Sequence, residues 1–213
     1  MLTEKKKMKA LICVDVQNDF VKPDGALPVP HAEEIAEKII KLARECRSKG
    51  WVIYATADTH YLADDEHNDE TRKWAEKITY PKTLEGQRIP KHCIDGSEGH
   101  KIVDGLVKDE NRDVIIPQRH IVNKGTFGST NLISLLELQF KYGNGLESLG
   151  EPLDEIVLCG FCTGICVLSN AVILREAFPN TPITVLQDLC GDVTPEDHQR
   201  ALHQMTRLLI NIG

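Results

Sequence analysis

Several things are missing from this 213-residue sequence, and each absence excludes something. No run approaches the roughly 18–20 apolar residues a membrane-spanning helix needs, so no membrane partner is expected. The net charge is −7, and the one basic run is EKKKMK near the N-terminus, read as a solvated leader. A nucleic-acid partner, which would call for a basic face to collect phosphates, is therefore not expected. That basic start is followed by only ALICV, too short for the apolar core of a secretion signal. With no such signal and an odd count of seven cysteines, reduced thiols in a cytoplasmic protein are expected. The triplet Cys159, Cys162, Cys166 has no second paired half and lies in an apolar strand-to-helix pattern, which argues against structural zinc. The turn after the first apolar run reads DVQNDF and carries no G-x-G-x-x-G, which excludes a dinucleotide site there. Internal repeats and low-complexity linkers are also lacking.

What remains is a chain of single-domain length, expected to form one domain over residues 1–213. Short runs rich in Val and Ile predict strands at Ala10–Val14, Val52–Ala57, Asp113–Ile116, Glu155–Cys159 and Ile183–Leu186. Continuous apolarity of this kind suits strands covered on both faces, as in a parallel sheet. Between them, Ala32–Lys49 carries a helical stripe at Ile35, Ile39, Leu42, Ala43 and Cys46, with Gly50 as its stop. Asn131–Tyr142 and Gly164–Ala177 also read as helices, and Pro195 opens a last one to about Leu209 with Thr194 as N-cap. The alternation predicts an α/β fold: a doubly wound, mainly parallel sheet flanked by helices. Residues 58–112 are polar and glycine-bearing, and too long for a simple connection, which marks a functional loop region. Within it, the charged stretch 61–80 reads as an insertion forming a lid or a subunit contact, its charges on a solvated face.

Ligands of open α/β sheets sit beyond the carboxyl ends of the strands. Asp15, Asp58, His60 and the segment GFCTGICV (160–167) all fall there. Cys166 belongs to the first turn of the helix after the fourth run, where free N–H groups and the helix dipole favour a thiolate. In isolation a buried cysteine is an ordinary small hydrophobe, Asp15 a turn or cap residue, and Lys124 a solvated loop lysine between the third strand and a helix. Together they have another reading. A thiol nucleophile needs a base and an amide leaving group needs an acid. One carboxylate in a dry crevice serves both steps, and an ammonium steadies it.

The segments DVQNDF, Lys124 followed by a glycine and then an aromatic, and G-x-x-T-x-x-C-V resemble the isochorismatase-like cysteine hydrolases, closest to the nicotinamidases among them. The similarity spans nearly the whole chain, in the family's order. It implies a catalytic set of Asp15, Lys124 and Cys166, with Cys166 attacking a carboxamide carbon to give a thioester. It also implies a cis peptide between Phe161 and Cys162, with the backbone N–H groups of Cys162 and Cys166 facing the oxyanion. Asp58, His60 and His92 match the nicotinamidase metal pattern, with Glu85 as fourth ligand and His67 as its rival. The ion would be zinc first, with iron or manganese as alternatives, and would orient the substrate. Phe20 matches the aromatic that stacks on the pyridine ring. The position three before His92 is Ile89, where that family usually has a second aromatic. The implied substrate is a small amide, nicotinamide first, or else a ureido or carbamoyl compound. A homo-oligomer is implied as well. A binding module that merely kept the fold would have no reason to retain Asp15, Lys124 and Cys166 together.

Overall fold

The computed structural model describes residues 8–61, 91–108, 111, 113–139 and 153–213. Six strands form one parallel sheet: β1 (Met8–Val14), β2 (Val52–Asp58), β3 (Ile121–Lys124), β4 (Leu153–Phe161), β5 (Ile183–Gly191) and β6 (Asn211–Ile212). Their order is β3-β2-β1-β4-β5-β6. The chain thus winds outward from β1 in one direction, then returns to β4 and winds outward in the other. The reversal leaves a crevice beyond the ends of β1 and β4, where open α/β sheets take their ligands.

The middle strands are apolar throughout because both faces are covered. Ala10, Ile12 and Val14 of β1 join one buried cluster, while Leu11 and Cys13 join the other. Helix α2 (Ala32–Ser48) covers the second face with Ala32, Ala36, Ile39, Ala43 and Cys46, spaced at three to four residues. It stops at Gly50, which takes a left-handed φ of 79° and donates its N–H to the Arg47 carbonyl. On the first face lie α3 (Asn131–Glu137), α4 (Leu168–Ala177) and α5 (Pro195–Arg207). Helix α5 begins as its sequence predicts, with Thr194 Oγ1 accepting the Asp197 N–H at 3.1 Å and Pro195 in the first turn. A short helix, α1 (Asn18–Val21), follows β1 and was not foreseen.

One predicted strand is corrected. Asp113–Ile116 is not in the sheet; Val114 makes only an isolated antiparallel bridge to Lys108. Its apolar residues face a different purpose: Ile115 and Ile116 are buried in the α2-side cluster, and both N–H groups go to the Val107 carbonyl. The third strand is Ile121–Lys124 instead, so Lys124 ends a strand rather than following one. As an edge strand, β3 buries alternate residues only, and IVNK carries too little apolar signal to stand out.

Between β4 and α4, residues Thr163–Val167 form a π-type turn in which the Val167 N–H reaches back to the Cys162 carbonyl at 3.1 Å. The strands meet closely just before it. Gly160 has φ of 124°, and a Cβ there would lie 2.0 Å from the Val14 carbonyl oxygen. Only glycine lets β4 run this close to β1, and that closeness brings the turn carrying Cys166 beside Asp15.

Candidate active site

Asp15 is the first residue beyond β1. It takes a left-handed φ of 49°, a conformation aspartate tolerates better than most, and is fully buried. Its Oδ1 accepts the Thr56 hydroxyl at 2.6 Å, and its backbone N–H donates to the Thr56 carbonyl. Lys124 at the end of β3 is 3 % exposed, and its Nζ lies 2.6 Å from Asp15 Oδ2. The same ammonium donates to Cys166 Sγ at 3.5 Å and stands 3.6 Å from Asp58 Oδ1. Cys166 is 7 % exposed. The ends of β1 and β3 and the turn after β4 thus deliver an acid, an ammonium and a thiol to one point.

Their electrostatics are opposed in a useful way. Burial raises the Cys166 pKa well above that of a free thiol, and the Asp15 charge and its hydrogen bond to the thiol raise it further. Burial also raises the Asp15 pKa, partly offset by Lys124. For Lys124, burial works against the charge, but Asp15, Cys166 and Asp58 outweigh it, so the pKa stays above the ordinary lysine value. These shifts favour the thiol at Cys166 and the ammonium at Lys124. The raised pKa of the Asp15 carboxyl would make a proton transfer from Cys166 to it less uphill.

Asp58 ends β2, and with His60 and His92 it makes the one cluster of potential metal-binding side chains among the described residues. His60 Nε2 and His92 Nε2 lie 3.0 and 3.1 Å from Asp58 Oδ2, and the donor atoms all fall within 4.8 Å of one another. Burial pushes the Asp58 pKa up, but hydrogen bonds from both imidazoles and the charge on Lys124 overcome it, leaving it well below the usual carboxylate range. One ionised carboxylate and two imidazoles suit a divalent first-row metal. Glu85, its rival His67, and Ile89 lie outside the described residues. Phe20 is buried, its ring edge-on to His92 with centroids 5.5 Å apart. The Phe161–Cys162 peptide is cis.

The rest of DVQNDF organises this site. Gln17 Oε1 accepts the Asp58 N–H at 2.7 Å, while its Nε2 donates to the carbonyls of Asp58 and His100. Asp19 Oδ2 accepts the N–H of Cys93, next to His92, at 2.6 Å. Asn170, fully buried, donates to the Cys166 carbonyl at 2.8 Å and to the Phe127 carbonyl, and accepts the Ser129 N–H. It ties the Cys166 turn to the loop after Lys124. Sequence reading assigned no role to Gln17, Asp19 or Asn170, because their partners are backbone atoms of distant segments, which leave no pattern in composition or spacing.

The isochorismatase domain family matches residues 9–212. The chain belongs to the isochorismatase family. It is 26 % identical to the nicotinamidase of Saccharomyces cerevisiae (strain ATCC 204508 / S288c), over 96 % of this chain and 99 % of that protein. It is 31 % identical to an uncharacterized isochorismatase family protein PncA of Bacillus subtilis (strain 168), over 77 % and 76 % of the two chains. A crystal structure of the pyrazinamidase of Pyrococcus horikoshii in complex with zinc superposes with a TM-score of 0.66 at 26 % identity, covering 96 % of this chain and 98 % of that one.

Proposed function

We propose that the protein is a metal-assisted cysteine amidohydrolase that converts nicotinamide and water to nicotinate and ammonia, a step of NAD salvage. The observation that carries this reading is the continuous contact of Cys166, Lys124 and Asp15, joined through Lys124 to the Asp58–His60–His92 cluster. Asp15 takes the Cys166 proton as sulfur attacks the carboxamide carbon. The backbone N–H groups of Cys162 and Cys166 face the resulting oxyanion. As the C–N bond breaks, Asp15 returns the proton to the departing ammonia, leaving a thioester. Asp15 then takes a proton from water, which attacks the thioester, and passes it back to sulfur as nicotinate leaves. Lys124 holds its charge throughout and stabilises the carboxylate and the sulfur in turn.

Asp58, His60 and His92 would hold the metal, with Glu85 completing the set. A divalent ion there, zinc before iron or manganese, supplies a Lewis-acid anchor for the pyridine nitrogen. Phe20, on the same side as His92, packs against the ring. The relatives named nicotinamidase or pyrazinamidase and the zinc-bound neighbour support the reading.

The test is ammonia release from nicotinamide by zinc-loaded protein. We expect turnover, loss of turnover with a chelator, and a fall of at least ~10⁴-fold in Cys166→Ala, since the thioester route is then closed. Hydrolysis of ureido or carbamoyl compounds with none of nicotinamide would replace this substrate with that class.

A further inference from the structure

The turn that carries the nucleophile is held from behind by two side chains to which the reaction assigns nothing. Asp192, just after β5, is 8 % exposed; its Oδ2 accepts the Gly164 N–H at 2.5 Å and its Oδ1 accepts the Val193 N–H at 2.8 Å. His198, on the first turns of α5, places Nδ1 2.8 Å from the hydroxyl of Thr163, which is fully buried and lies 3.0 Å from the Gly191 carbonyl. A carbonyl only accepts, so the Thr163 proton points to Gly191 and the imidazole must donate from Nδ1; this tautomer follows from the network. The backbone of His198 is anchored in the first turn: its N–H bonds the Thr194 carbonyl, and Thr194 caps the helix through Asp197.

We propose that His198 is a positioning residue for the amidase reaction, acting through Thr163 to set the Cys162–Cys166 turn. Thr163 directly follows Cys162, and Gly164 stands two residues before Cys166. A shift of either therefore displaces the sulfur and both oxyanion-facing N–H groups together. The packing at Gly164 leaves little slack, since a Cβ there would lie 2.9 Å from Asp192 Oδ2. Positioning errors near 1 Å cost up to about 100-fold in turnover.

This inference rests on the amidohydrolase reading, so its test has an arm that does not. In zinc-loaded protein, His198→Ala is expected to lower kcat ~10–100-fold with KM changed less than about threefold. His198→Asn, whose amide N–H sits where Nδ1–H does, restores most of it, while His198→Leu does not. Thr163→Val matches His198→Ala, and the double variant falls no further, as for residues acting in series. Independently of substrate, alkylation of Cys166 by iodoacetamide, followed on the Cys166 peptide, changes severalfold in His198→Ala and returns to the parent rate in His198→Asn. Parent protein inactive on every amide would sink the functional reading and leave the alkylation arm to decide this one. Unchanged kcat and alkylation in His198→Ala, or a loss that asparagine fails to restore, overturns the proposal.

Discussion

Lys124 is the residue on which the site's charges balance. It is buried with Asp15 and Asp58 close on either side, so it neutralises one of two carboxylates from within the core. Removing one partner of a buried pair typically costs about 3–5 kcal/mol, because the remaining charge is stranded without solvent. Lys124→Met should therefore lower both turnover and the urea midpoint. Asp15→Asn differs: asparagine keeps an oxygen for the Thr56 hydroxyl but cannot carry a proton. Turnover should fall ~10²–10⁴-fold, the usual worth of a general base, with a much smaller loss of stability. Urea melts and ammonia release on the two variants separate the roles. A Lys124→Met protein as stable as its parent would show that the ammonium compensates nothing.

At the scale of the elements, the edge of β2 offers a separate test, away from the metal cluster. His120, in the 3₁₀ turn Gln118–His120 that leads into β3, stacks on Tyr54 of β2 with centroids 4.6 Å apart, and its Nδ1 lies 3.0 Å from the Ile53 carbonyl. Burial lowers its pKa from 6.5, although the Ile53 bond opposes the shift. The folded ring thus accepts a proton at lower pH than the unfolded ring does. Stability is fully present above the ordinary histidine pKa and declines as pH falls, until the folded ring also titrates. His120→Phe keeps the stacking and removes the titration. The difference in urea midpoint between about pH 7.5 and about pH 5.5 should shrink in that variant; an unchanged difference would assign the pH response to other groups. This turn and β3 were also where the sequence was least legible. β1, β2, β4, β5, α2 and α5 announced themselves, because deep burial imposes apolar runs and stripes. The edge strand did not, and Ile115 and Ile116, equally buried but outside the sheet, gave the signal of a strand. Asp15, Lys124 and Cys166 were readable as a motif, whereas Thr56, Asp192 and His198 make hydrogen bonds open to many polar residues.

For the whole molecule, the strand order decides what meets. β3, β2, β1 and β4 lie side by side, so Lys124, Asp58, Asp15 and the Cys166 turn, up to 151 residues apart in sequence, converge along one rim. His92 comes from outside the sheet, on a segment joined to the strand ends by backbone bonds such as His60–Cys93 and Asp95–His60 and by Asp19 and Gln17. An ion bound between Asp58, His60 and His92 would fasten that segment to β2, so its binding must appear in the stability of the folded state. At a free concentration 100 times its dissociation constant, a ligand that binds only the folded chain adds about 2.7 kcal/mol. For a chain of this size each kcal/mol raises Tm by about 2–4 °C, so zinc should raise it by about 5–10 °C. His92→Ala should lose most of that shift, because one of the two imidazole donors is gone. Cys166→Ala should keep all of it, since the thiol is not part of the cluster. Melting curves across a zinc titration, with reductant present, distinguish these cases without any need for turnover. Equal shifts in the parent and His92→Ala would place the ion elsewhere, and the three side chains would then be only a hydrogen-bonded group that holds the segment to the strand end.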